Sequence, residues 1–132
     1  MALIDSEKFR LKATSDSMEA EWVNVGTIKT LAFDHLEILH DAISKLKYDI
    51  QTTNMASQLL AEKFTLAELQ SLYESILEKK LDKRNFRKRV KAMNILIATK
   101  ETKMEGAHRP ALLYKFKSKD INALKERIQV FV

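Results

Sequence analysis

A chain of 132 residues, 45% of them hydrophobic, has room for one packed domain, or for one small domain with an appendage, and is too apolar for a disordered segment. Its 23 Lys and Arg outnumber its 18 Asp and Glu, for a formal net charge of +5, and the excess is local: residues 79–91 hold eight cations against one acid, Asp82. The lack of cysteine excludes a disulfide frame, a thiolate metal site and a Cys nucleophile, and two glycines, Gly26 and Gly106, cannot build the glycine-rich phosphate cradles of P-loop or dinucleotide-binding sites.

Residues 1–12 lack the apolar core of a signal peptide and no apolar run approaches membrane-spanning length, so a cytoplasmic protein is expected. Residues 8–13 alternate somewhat like a strand, residues 15–17 read as a turn, and residues 21–25 read as a second strand ending at Gly26. Residues 30–48 predict a helix in which Leu36, Leu39, Ile43 and Leu46 keep one face, with Asp34 as N-cap and Glu37 three residues on. His35 and His40 stand among Asp34, Glu37 and Asp41, but side chains five apart point roughly 140° away from each other around a helix, so surface or packing histidines are expected and no metal site. A break follows near Thr52, Thr53 and Asn54, and residues 54–60 read either as a short strand or as one helical turn.

Thr65 and Glu68 form a capping box for a helix whose Leu66, Leu69, Tyr73, Ile76 and Leu77 share a broad face, ending near Lys79 and Lys80. A tight connection leads into a second helix over about residues 82–94, capped by Asp82. There Phe86, Val90 and Met93 fall on one stripe while Arg84, Arg87, Lys88 and Lys91 fall opposite, and no acid follows Asp82 to neutralise them by i,i+4 pairing. A helix anchored by three apolar residues and presenting four cations outward is suited to an anionic partner. Residues 95–99 predict a strand, residues 100–109 a polar loop containing Gly106, and residues 111–116 the return strand, with Pro110 tolerated just before it. Helix, tight connection, basic helix and hairpin make a winged helix-turn-helix. Ser118 then caps a last helix whose Ile121, Leu124, Ile128 and Phe131 form a stripe that either packs on its own domain or seams a dimer.

Phe64-Thr65-Leu66-Ala67-Glu68-Leu69-Gln70, Tyr73-Glu74, Ile76-Leu77, Leu81-Asp82-Lys83-Arg84-Asn85-Phe86-Arg87, Arg109-Pro110-Ala111 and Leu113-Tyr114-Lys115-Phe116 together resemble the C-terminal winged-helix domain of the Nudix-related transcriptional regulators. Upstream, Trp22-Val23, Leu31-Ala32-Phe33-Asp34-His35 and Glu37-Ile38-Leu39 resemble the final strand, loop and last helix of the Nudix domain of that family. The resemblance implies a mainly α chain with a small β hairpin: residues 1–50 as a Nudix remnant and residues 51–132 as the DNA-binding domain. The two glycines cannot supply the Nudix signature box, so the resemblance does not carry over hydrolysis, nor the pocket that in the family binds ADP-ribose or sugar metabolites.

The expected function is sequence-specific binding of double-stranded DNA by a transcriptional regulator, as a homodimer, without cofactor or metal. Arg84, Asn85 and Lys88 are the expected base-edge contacts, since Arg reads guanine and Asn reads adenine through paired hydrogen bonds. Lys83, Arg87 and Lys91 are the expected phosphate contacts, and Lys103, His108 and Arg109 would reach phosphate or the minor groove from a wing at about residues 100–110. Arg109 has a rival role, pairing with an acid at the strand start, and Arg89, on the flank of the buried stripe, is left structural. The alternative is a winged helix that meets acidic protein partners. An enzyme is not expected, because no nucleophile–base pair or carboxylate dyad is evident.

Overall fold

The computed structural model describes residues 3–4, 6–14, 19–104, 106 and 109–120. They form, in order, a 3-10 turn at Ser6–Lys8, a second at Val25–Thr27, helices α1 (His35–Thr52), α2 (Ala56–Leu59), α3 (Leu66–Leu77) and α4 (Lys83–Met93), and strands β1 (Leu96–Met104) and β2 (Pro110–Phe116). The chain divides into two compact units, Met1–Ser44 and Lys45–Val132.

In the first unit the two expected strands are absent: residues 9–13 and 21–24 are irregular, and the regular structure is the pair of 3-10 turns. Two short strands without further partners bury too little to hold a ladder. The second turn is fixed locally instead, Asn24 Oδ1 accepting from the Gly26 N–H at 2.9 Å. The helix expected over 30–48 begins only at His35 and continues to Thr52. Residue 33 explains the late start, because Phe33 sits at φ 55°, a left-handed conformation that does not propagate a right-handed helix. No described residue of this unit is buried, and Phe33 is 94% exposed.

The second unit holds the core: Ile50, Ala56, Phe64, Leu66, Leu69, Tyr73, Phe86 and Val90 are buried together. The Tyr73 and Phe86 rings meet edge to face with centroids 5.7 Å apart and join α3 to α4; Phe64 and Phe116 lie 4.9 Å apart and join the start of α3 to the hairpin. Burial pushes the Tyr73 phenol above its ordinary pKa, so it stays neutral. The break after α1 is held by side chains: Thr52 and Thr53 hydroxyls donate back to the Tyr48 and Asp49 carbonyls, and the Asn54 amide donates to the Ser118 carbonyl. Of the two readings of residues 54–60, the helical turn is the one formed.

The capping box is complete: Thr65 Oγ1 accepts the Glu68 N–H at 3.1 Å while Glu68 Oε2 accepts the Thr65 N–H at 3.3 Å. α3 ends at Leu77, short of the expected Lys79 and Lys80, because Glu78 turns left-handed at φ 55°. Its carboxylate meets Lys47 of α1 at 2.8 Å.

β1 and β2 pair antiparallel, and Phe64 adds a single bridge to Tyr114, with N···O distances of 2.7 and 3.0 Å. β1 runs five residues beyond its expected end at residue 99, so the loop between the strands is shorter than the sequence pattern implied. The mixed polar run from Lys100 to Met104 carries little strand signal of its own; pairing with β2 supplies it. The expected helix after Ser118, and its apolar stripe, lie outside the described residues. Among the described residues no helix is long and apolar enough to cross a membrane.

Candidate nucleic-acid interface

α4 is built as its sequence pattern requires. Asp82, in extended conformation at the cap, accepts the Asn85 N–H at 2.8 Å. Phe86, Val90 and Met93 are buried at 1%, 2% and 7% exposure, so the helix cannot rotate about its axis without exposing them. It ends at Asn94, left-handed at φ 52°, a residue type that tolerates that conformation. The Asn94 amide oxygen accepts from Lys117 Nζ at 2.6 Å, fixing the exit into the hairpin.

With that stripe inward, Arg84, Lys88 and Lys91 stand on the outward ridge and are exposed, as is Lys83 nearer the core. Among the described residues Lys83, Arg84, Arg87, Lys88 and Lys91 have no carboxylate within ion-pair distance. Their field therefore projects into solvent rather than being spent within the protein.

The two flanks of α4 differ. On one, Lys83 and the half-buried Arg87 line a cleft of about 420 Å³ together with Arg109, Pro110 and Leu112 of the hairpin and Thr65 at the start of α3. Three of the sequence-predicted cations thus converge although Arg109 is 22 and 26 residues distant along the chain from Arg87 and Lys83. Among the described residues no acid pairs with Arg109. On the other flank, Asn85 and Arg89 line a smaller cleft with Lys79 and Lys80. Asn85 contributes its backbone N–H to the cap and leaves its side chain exposed.

Lys103 stands apart from this group: its ammonium lies 2.5 Å from Glu68 Oε1. His108 falls outside the described residues. Two residues not expected from the sequence pattern, Gln70 and Glu74, hold the α3–α4 connection. Glu74 Oε1 accepts the Leu81 N–H at 2.9 Å, and Gln70 Nε2 donates to the Leu81 carbonyl at 2.8 Å. The Leu81 N–H first, and then the Gln70 amide, which also donates to Glu74 Oε1 at 3.2 Å, hold the Glu74 carboxyl below its ordinary pKa. The spacing of Gln70 and Glu74 by four puts them on one helix face, a signal present in the sequence, but the backbone group they serve was not. Among the described residues no group of three or more His, Asp or Glu is placed to hold a metal ion.

A family model described as the NrtR DNA-binding winged helix domain matches residues 56–116. The ADPR responsive transcriptional repressor NtrR of Acinetobacter baylyi is 35% identical over 121 residues, covering 90% of this chain and 48% of that protein. The crystal structure of Shewanella oneidensis NrtR complexed with a 27mer DNA aligns at TM-score 0.58 and 36% identity, over 70% of this chain and 42% of that one. A further crystal structure of Shewanella oneidensis NrtR gives TM-score 0.56 and 35% identity, over 71% and 42%. The chain spans about half the length of these relatives.

Proposed function

We propose, from the match of residues 56–116 to the NrtR DNA-binding winged helix domain, that the chain is a sequence-specific, double-stranded-DNA-binding transcriptional regulator that acts as a homodimer. The observation that carries this reading is the ridge of α4: its cations have no acid partner among the described residues, and its orientation is set by three buried anchors. Such a helix has the diameter to enter a major groove.

Arg84, Asn85 and Lys88 read base edges; Lys83, Arg87 and Lys91 hold phosphates. Arg109 adds a phosphate contact beside Lys83 and Arg87, which the shared cleft supports. His108 and Lys103 complete the wing of the sequence reading, Lys103 with the Glu68 carboxylate already beside it. A dimer reads two half-sites related by the two-fold axis of the pair. The A. baylyi relative is described as a repressor, and repression is the direction of regulation assigned here.

The test is selection from a random duplex pool at near-physiological salt, with an Arg84→Ala, Lys88→Ala protein in parallel. Enrichment of a palindrome that the double variant does not recover is the expected result. Recovery without sequence preference would replace the reading with that of an interaction module for acidic partners.

A further inference from the structure

The hairpin is fastened to the segment that starts α3 at three points. Lys103 pairs with Glu68 at 2.5 Å, Lys63 pairs with Glu101 at 2.5 Å, and Phe64, between Lys63 and the cap residue Thr65, bridges to Tyr114 of β2. Both ion pairs come from β1, and both depend on an irregularity in it. Ala98 pairs with Tyr114 but Thr102 pairs with Leu112, so residues 99–101 of β1 stand opposite the single residue Leu113. Thr99 closes this bulge, its hydroxyl donating to the Leu113 carbonyl at 2.8 Å and accepting the Glu101 N–H at 3.2 Å. A bulge re-aims the side chains beyond it. Here Glu101 ends the bulge and Lys103 lies just beyond it, and each pairs with the segment 63–68. Glu68 is thereby used twice: Oε2 caps α3 and Oε1 holds the wing.

We propose that Lys103 is a positioning residue, not a DNA contact: through Glu68, and with the Lys63–Glu101 pair, it sets the angle of the wing so that Arg109 meets the same phosphates as Lys83 and Arg87. The inference rests on the DNA-binding reading above and changes the role of one residue within it. Its physical content is that two acids next to a cationic surface strengthen DNA binding, although bare electrostatics says that acids there weaken it. Fixing the wing in advance removes an ordering cost that a loose hairpin would meet on binding.

The sign of the effect is the test. Affinity of the full chain is measured by fluorescence anisotropy on a 27-base-pair selected duplex and on a scrambled duplex of equal length, with thermal unfolding as a check on folding. Glu68→Gln keeps an acceptor for the cap and loses the charge; Glu101→Lys reverses a charge outside the cap. Both make the protein more positive, and both are expected to bind the selected duplex about two- to fivefold more weakly, the range an exposed ion pair spans. The swap Lys63→Glu, Glu101→Lys restores the pair and is expected to return affinity to within about twofold of wild type. Equal or tighter binding by Glu68→Gln and Glu101→Lys would overturn the proposal, as would a swap that binds no better than Glu101→Lys alone. Failure of the unaltered protein to bind either duplex is a different result: it removes the DNA-binding reading itself, and the inference with it.

Discussion

The Glu74 carboxylate accepts the Leu81 backbone N–H at 2.9 Å, seven residues on, across the α3–α4 connection up to the Asp82 cap. One bond from a helix side chain to the residue before the Asp82 cap thus sets where the basic helix begins. Gln70 completes it by donating to the Leu81 carbonyl, so both backbone groups of that residue are satisfied from α3.

A pH dependence follows. The Glu74 pKa is lowered in the folded chain, chiefly by the Leu81 N–H and then by Gln70, so the ionised form is favoured there. Its contribution to stability is complete above the ordinary carboxylate value and is lost as pH falls through the lower folded value. Thermal unfolding followed from pH 7 downward is expected to show a steeper fall below the ordinary carboxylate range for the unaltered chain than for Glu74→Gln, which has no charge to lose at that position. Parallel curves would contradict the assignment.

Phe86 anchors α4 from its inward face against Tyr73. Phe86→Ala is expected to destabilise the chain by about 3–5 kcal/mol, because it removes a buried ring and leaves a cavity between two helices. Arg84→Ala, two residues away on the exposed ridge, is expected to leave the unfolding midpoint within error. Denaturant titrations of the two variants check both expectations. Comparable losses would mean that Arg84 is held by the fold rather than presented by it.

Thr65 is 1% exposed and its hydroxyl caps α3. Thr65→Ala is expected to cost about 1 kcal/mol, and Thr65→Ser distinctly less, measured by urea unfolding. If serine is as damaging as alanine, the buried methyl rather than the cap carries the contribution.

Much of this was legible in the sequence, for reasons specific to each element. α4 could be read because one short helix carries its own evidence: Asp82 at the cap, three apolar residues at helical spacing, and cations elsewhere. The Thr65–Glu68 capping box is equally local. What could not be read depends on partners distant in the chain. β1 continues through Lys100, Glu101 and Lys103 only because β2 and residues 63–68 lie against it. The N-terminal strands failed in the opposite way: residues 8–13 alternate somewhat and 21–25 read as a strand, but neither is part of the sheet that β1 and β2 form. The convergence of Arg109 with Lys83 and Arg87 is a property of hairpin geometry and has no signal in spacing.

Arg87 and Arg109 share the cleft between α4 and the hairpin, and both are assigned to phosphate. Replacing either by alanine is expected to weaken binding to selected and scrambled duplexes alike, and to reduce the slope of log affinity against log salt by about 0.9. Titrations at four salt concentrations suffice. Loss confined to the selected duplex would move the residue from phosphate to base contact.

The proposed function depends above all on Arg84 of α4 as a reader of bases. The most direct measurement is the binding of wild-type and Arg84→Ala proteins to every single-base-pair variant of the selected duplex. Wild-type discrimination of about 1–3 kcal/mol is expected at a guanine in each half-site, and Arg84→Ala is expected to lose it there while keeping its preferences at other positions. An Arg84→Ala protein with the same position-by-position preferences as wild type would contradict it.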